Sequence, residues 1–148
     1  MRFTVLEVGC SLSTTGDVNV DIDRSSLADV ICDAQHLPFK DNSFKIVKAS
    51  HIIEHVDDPE QMLDELVRVC SRIVFVRCPH RFSPNAGRFA NRNHKHLFKI
   101  SWFADYCKKH RLGIAAEVPI SLTRQLELRV QIIKRLRNSA GSTEQGED

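Results

Sequence analysis

At 148 residues and 16.9 kDa the chain has the length of one domain, enough to bury roughly 68–70% of the surface its unfolded form exposes. Hydrophobic residues make up 42% and charged residues 27%, a globular composition that excludes a fibrous repeat or a disulfide scaffold. The net charge of +2 conceals an asymmetry: residues 1–66 hold 13 acids against 5 bases, and residues 77–111 hold 9 bases against one acid, so a segment of −8 faces one of +8. Two surfaces with different ligands, or two oppositely charged solvated faces, both account for that split.

No apolar run approaches the ~18 residues that span a bilayer, and Glu7 interrupts the apolar start too early for a secretory leader. Five cysteines, Cys10, Cys32, Cys70, Cys78 and Cys107, are odd in number, widely spaced and free of any C-x-x-C. They indicate neither a disulfide framework nor a thiolate metal site, and a reducing, cytoplasmic setting is expected.

In chain order, short β-branched runs predict strands at Phe3 to Val8, Val18 to Asp21, Asp29 to Ile31 and Phe44 to Ala49. Apolar residues on both alternating faces of the first run, and of Arg72 to Val76, predict a buried and largely parallel sheet. Between the last two runs lies a helix announced by Asp58 as cap and Pro59 at the first helical position, with Met62, Leu63, Leu66, Val67 and Cys70 as its apolar stripe. A second helix is predicted to follow Ser101 as cap, to carry Trp102, Phe103, Tyr106 and Cys107, and to stop near Gly113. Ile114 to Leu122 reads as a strand. The alternation across residues 126–132 favours a final strand, although Leu128, Ile132 and Leu136 would also line a helix. The reading is one domain over residues 1–137, with 138–148 a disordered tail free of large apolar side chains.

Five blocks stand in order: Val5-Leu6-Glu7-Val8-Gly9-Cys10-Ser11; Val20-Asp21-Ile22-Asp23; Cys32-Asp33-Ala34-Gln35-His36-Leu37-Pro38-Phe39; Asp41-Asn42-Ser43-Phe44; and Ser50-His51-Ile52-Ile53-Glu54-His55-Val56. Together they resemble the class I S-adenosylmethionine-dependent methyltransferases, in the branch with a DA-x-x-LPF-x-DNSFD block and a SSHVLEH block. The resemblance runs from about Thr4 to Gly113. It implies an α/β, Rossmann-like sandwich with a mostly parallel sheet and an antiparallel last strand. It also implies methyl transfer from S-adenosylmethionine, and it places the cofactor on Glu7, Gly9, Ser11, Asp21, Ile22, Asp33, Ala34 and Ser50. Asp21 would accept from the ribose hydroxyls and Asp33 from the adenine amino group, with the Ala34 backbone at the ring edge. Ser50 and His51 would lie beside the methionine part. A glycine ending a strand at the carboxyl edge of a parallel sheet fits that role, since backbone there must approach a ligand closely.

This chain departs from the family pattern at Ser11 and Ser13, which stand where further glycines are usual. Only nine residues, Gly9 to Asp17, separate the first two strands, fewer than the 10–12 that a helical crossover needs. A plain loop is therefore expected there, and Arg24 to Ala28 leaves no room for a helix either. The helices that cover one sheet face in the family are reduced or missing, and an uncovered apolar face predicts burial against a second copy of the chain.

His51-Ile52-Ile53-Glu54-His55 also matches H-x-x-E-H, in which two histidines one helical turn apart hold zinc. The motif follows a strand directly and a new helix begins at Asp58-Pro59, which leaves too little helix to present both imidazoles, so no metal is expected. His51 and His80, predicted at the tips of adjacent strands, are the candidate general bases. His80, His94 and His96 lie in the basic segment, where Arg81, Arg88, Arg92, Lys95 and Lys99 interleave with Phe82, Phe89 and Phe98. In the family this region helps build the acceptor pocket. A basic, aromatic-rich side favours an anionic or aromatic small molecule, with nucleic acid also compatible and no membrane partner. The altered glycine loop leaves a second reading, a non-catalytic methyltransferase fold acting as an interaction or anion-binding subunit.

Overall fold

The structure, a computed structural model, describes residues 4–87, 92–120 and 125–135. Seven strands, β1 (Val5–Val8), β2 (Val18–Asp21), β3 (Val30–Ile31), β4 (Phe44–Ser50), β5 (Cys70–Pro79), β6 (Gly113–Glu117) and β7 (Glu127–Ile133), form one sheet in the order β3-β2-β1-β4-β5-β7-β6. β1 to β5 pair in parallel, and β7 runs antiparallel between β5 and β6. The order reverses between β1 and β4, since the chain first builds outward through β2 and β3 and then returns to the other side of β1.

Helix α1 (Pro59–Val69) begins as its sequence dictates: the Asp58 Oδ1 accepts from the Gln61 N–H at 3.0 Å and proline occupies the first turn. It buries Met62, Leu63, Leu66 and Val69 against β4 and β5, each worth roughly 1.5–3 kcal/mol. Helix α2 (Ile100–Lys109) packs on β6 and β7. The two helices lie side by side, since the Tyr106 hydroxyl donates to Asp64 at 2.8 Å and Lys109 pairs with Glu60. One face of the sheet, Leu6, Val8, Val47, Ala49, Val74, Val76, Leu128, Val130 and Ile132, is buried with them.

Several expectations change in detail. Ser101 is not the cap of α2: Lys99 holds the extended backbone at the N-cap, without a side-chain bond, and Ser101 lies inside the first turn. The strand expected over Ile114 to Leu122 stops at Glu117. Pro119 has no N–H to give a ladder, and its carbonyl instead accepts from Glu127 as the chain turns toward β7. The alternation over residues 126–132 is strand, as predicted, with bounds Glu127–Ile133, and the tail 138–148 lies outside the described residues.

The connections 9–17 and 22–29 contain no helix. Polar groups stand in for one in the first. The Asp17 carboxylate accepts from the Thr4 and Val5 N–H groups at 2.8 and 2.9 Å, and Glu7 accepts from the Thr15 N–H at 2.7 Å and from its hydroxyl. Gly16 is required in this loop: a Cβ there would lie 2.6 Å from the Val18 carbonyl and 2.9 Å from the Glu7 nitrogen.

The open face is not uniformly apolar, which narrows the expectation of a greasy surface. Its registers form three rows across the sheet. Val5, Ile46, Ile73 and Ile133 align at one edge; Glu7, Lys48, Phe75 and Gln131 follow; Ser50, Arg77, Arg129 and Glu117 lie at the carboxyl edge of the parallel strands. The all-apolar row is thus the one away from the candidate site, while Phe75 in the middle row borders it.

Candidate functional site

Gly9 ends β1 with φ +74°, and a Cβ there would lie 3.0 Å from the Ile52 Cδ1, so both conformation and space demand glycine. Its N–H donates to the Val20 carbonyl at 2.8 Å, which draws the loop over the tip of β2. Ser11 also adopts positive φ, 48°, and its N–H donates to the Asp21 Oδ2 at 2.8 Å. The other oxygen, Oδ1, accepts from the Asp23 N–H at 2.9 Å. Asp21 therefore organises the glycine loop, and each oxygen retains a lone pair for a further donor.

Asp33, after β3, accepts from the Gln35 N–H at 2.9 Å. Burial opposes its ionisation, yet the Gln35 bonds and the nearby His36 hold its carboxyl below the ordinary value. Gly9, Asp21, Ile22, Asp33 and Ala34 line one cavity of about 220 Å³, closed on its far wall by Ile52, His55, Asp57 and Lys95. On the other side of Gly9, an open trough of about 570 Å³ is lined by Glu7, Ser50, Thr15, Lys48, Phe75 and Arg77. Seven of the eight cofactor candidates thus border two depressions that share Gly9, and Ser11 reaches them through Asp21.

The LPF-x-D part of the third and fourth blocks does a different job. Arg68 of α1 donates to the carbonyls of Leu37 and Phe39 at 3.0 and 2.7 Å and to Asp41 at 2.9 Å, while Glu65 accepts from the Leu37 N–H at 2.7 Å. These bonds fasten the segment after Asp33 to α1, so half of that motif positions the acid and never touches the cavity.

His51 follows β4 with φ 54°. Its Nε2 lies 3.1 Å from the Glu127 Oε1 and its Nδ1 3.5 Å from the Glu54 Oε1. The Glu54 contact outweighs partial burial and, with Glu127, raises the His51 pKa above 6.5. Burial disfavours the charged form of Glu127, but bonds from Arg129, Arg77 and His51 prevail and lower its pKa to about 2. Together with Pro79, Asn85 and Ile120 these residues line a third depression of about 270 Å³. His80 lines none of these three: its Nδ1 accepts from the Phe82 N–H at 3.3 Å and its ring stacks beside Phe82. Of the aromatic residues in the basic segment, Phe98 is core, packed on Trp102 and Phe103, Phe82 is exposed under Arg81, and Phe89 lies outside the described residues.

Residues 6–73 match the family model described as a methyltransferase domain. Solved structures superpose over nearly the whole chain: a SAM-dependent methyltransferase from Thermotoga maritima (TM-score 0.70, 16% identity, 91% of this chain and 84% of that one) and the YcgJ protein of Bacillus subtilis (0.72, 12%, 91% and 93%). The fold is that of the class I methyltransferases. Phosphoethanolamine N-methyltransferase 2 of Haemonchus contortus, solved with S-adenosyl-L-methionine, also superposes (0.72, 13%, 92% of this chain and 50% of that one). Norajmaline N-methyltransferase of Rauvolfia serpentina is 39% identical over 72 residues, 46% of this chain. The matched segment spans about a quarter of that relative's length, 25%. In the methyltransferase fold the cavity and the trough flank the point where strand order reverses, the place where open α/β sheets bind ligands.

Sequence reasoning missed Glu127, which is 76 residues from His51, and grouped Lys95 with the basic acceptor segment although it lines the cavity of Asp21 and Asp33. Neither carries a local signal. The alternation of β7 could have located Glu127 only if its pairing with β5 had been known.

Proposed function

We propose that the chain binds S-adenosylmethionine across Gly9 and transfers its methyl group to a small acceptor that carries a negative charge. The observation that supports the cofactor most directly is the placement of two carboxylates, Asp21 and Asp33, in one cavity with the Gly9 and Ala34 backbone. Such a cavity suits a nucleoside with ribose hydroxyls and an exocyclic amine, and the trough bordered by Glu7 and Ser50 receives the remainder. The cofactor supplies a methyl group on a positively charged sulfur.

The chain's own residues then have separable tasks. Asp21 accepts from hydroxyls while holding the Ser11 amide, so ligand and loop are read by one carboxylate. Arg77 borders both the trough and the third depression and spans the seam between cofactor and acceptor. His51, whose charged form Glu54 and Glu127 favour, can hold an anion when protonated and becomes a base only above its raised pKa. An acceptor whose lone pair is already free needs alignment in place of proton removal, and Arg77, Arg129 and His51, which outnumber the Glu127 carboxylate they share in that depression, supply it.

Transfer of labelled methyl groups from S-adenosylmethionine to a panel of small amines, phenols and carboxylates tests the reading. Acceptors with a carboxylate or phosphate should be preferred, and Arg77→Gln should raise KM for them more than for neutral analogues. Equal use of neutral and anionic acceptors, unaffected by Arg77→Gln, contradicts it.

A further inference from the structure

Glu54 is 2% exposed, and neither carboxylate oxygen has a hydrogen-bond partner among the described residues. A carboxylate buried in that state carries a large desolvation cost unless a positive group faces it. Two imidazoles do. His55 Nε2 lies 4.0 Å from the Glu54 Oε1, and the rings of His55 and His94 meet edge to face with centroids 4.8 Å apart. His94 is itself buried, 7% exposed, although it belongs to the basic segment.

The backbone fixes the tautomer of both rings. His55 Nδ1 lies 3.0 Å from the Asn93 carbonyl, and His94 Nδ1 lies 3.0 Å from the Ala86 carbonyl. A carbonyl only accepts, so each Nδ1 carries the hydrogen and each neutral ring keeps a lone pair on Nε2. That is the arrangement in which outer hydrogen bonds orient metal-ligating histidines. One ligand atom from each of Glu54, His55 and His94 lies within 4.8 Å of the others. Bonds of about 2.0–2.1 Å in a tetrahedral site bring such atoms to about 3.3 Å, so closure asks for side-chain movements of about an ångström.

We propose that Glu54, His55 and His94 hold one divalent transition ion of the zinc class, with water in the remaining position. Two imidazole nitrogens and one carboxylate oxygen suit zinc and its neighbours better than magnesium or calcium, which prefer all-oxygen sites. The ion neutralises the buried carboxylate and clamps the 92–96 segment onto the 53–56 turn. The backbone already joins the two there, through the Lys95 N–H to the Glu54 carbonyl at 2.7 Å and a His96 Nε2 contact of 3.0 Å to the Val56 carbonyl. H-x-x-E-H thus contributes its glutamate and second histidine, whereas His51 approaches the same oxygen from the acceptor side, and the third ligand comes from a distant segment. His55 also lines the cavity beside Gly9, but the observations that define this site do not require a cofactor there.

Zinc chloride titrated into the full chain after chelator treatment tests it, with calorimetry as the readout and the visible absorption of the cobalt(II) form as a second. One saturable equivalent is expected, weakened by about 100-fold or more in His94→Gln and in Glu54→Gln. His51→Gln should leave the affinity within a few-fold. Glu54→Gln removes a buried charge without changing shape, so it reads binding in a folded protein even where His94→Gln fails to fold. No saturable equivalent, or binding that survives Glu54→Gln, overturns the proposal.

Discussion

The Nε2 of His51 lies 3.1 Å from the Oε1 of Glu127, and this contact joins the turn after β4 to the first residue of β7 across 76 positions of sequence. Arg77 and Arg129 hold the same carboxylate, at 3.1 and 2.6 Å. An ion-paired cluster is therefore built across the ends of β4, β5 and β7.

The cluster makes stability depend on pH in a defined direction. The folded pKa of His51 is raised above 6.5, so its contribution is fully present below the unfolded pKa and is lost as pH rises through the folded value. The difference in urea midpoint between wild type and His51→Gln should be largest below about pH 6 and shrink as pH rises beyond the raised His51 pKa. A difference that grows with pH contradicts the assignment.

Glu127 acts at the other end of the scale. Its folded pKa is lowered from 4.5 to about 2, so the stability it confers is present above 4.5 and is lost as pH falls toward 2. Glu127→Gln should remove that acid-side dependence and also lower the His51 pKa, which the imidazole resonances report in an NMR titration. An unchanged His51 titration would show that Glu54 alone holds the imidazolium.

Arg68 should prove structural despite its place beside a family motif. Arg68→Ala leaves the Leu37 and Phe39 carbonyls without their donor and Glu65 with only the Leu37 N–H, a loss of roughly 1–3 kcal/mol in chemical denaturation. Loosening the segment after Asp33 should weaken cofactor affinity as well, with full affinity at unchanged stability as the contrary result.

Much of this was legible in the sequence. β1, β2 and β4 announce themselves by β-branched runs, α1 by Asp58 and Pro59, and the missing crossover helix by the nine residues from Gly9 to Asp17. Asp21, Asp33 and Gly9 end strands or follow them directly, so a local pattern suffices to find them. What escaped reading depends on distant pairing. Glu127 meets His51 only through the β5 and β7 register, His94 is buried only because its segment folds back on Glu54, and the rows of the open face appear only once five strands are aligned. His80 shows the converse: the tip of a strand is a reasonable address for a base, but its Nδ1 is turned to a local N–H.

Gly9 separates binding from folding. With φ +74° and the Ile52 Cδ1 only 3.0 Å from where a methyl group would stand, Gly9→Ala should cost about 1–2 kcal/mol of stability and displace Ile52 into the cavity. Cofactor affinity should fall further than the stability loss accounts for, and Gly9→Ala with Ile52→Val should recover part of it. Equal affinity in Gly9→Ala and wild type contradicts the placement of a ligand over this residue.

Calorimetric titration with S-adenosylmethionine and S-adenosylhomocysteine, on wild type and Asp21→Asn, reads cofactor binding itself. Wild type should bind both saturably and one to one, and Asp21→Asn should lose at least about tenfold in affinity, because the substitution removes the charge that accepts from the ribose hydroxyls. No heat of binding with folded wild-type protein, or equal affinity in the variant, would contradict a cofactor site built on Asp21.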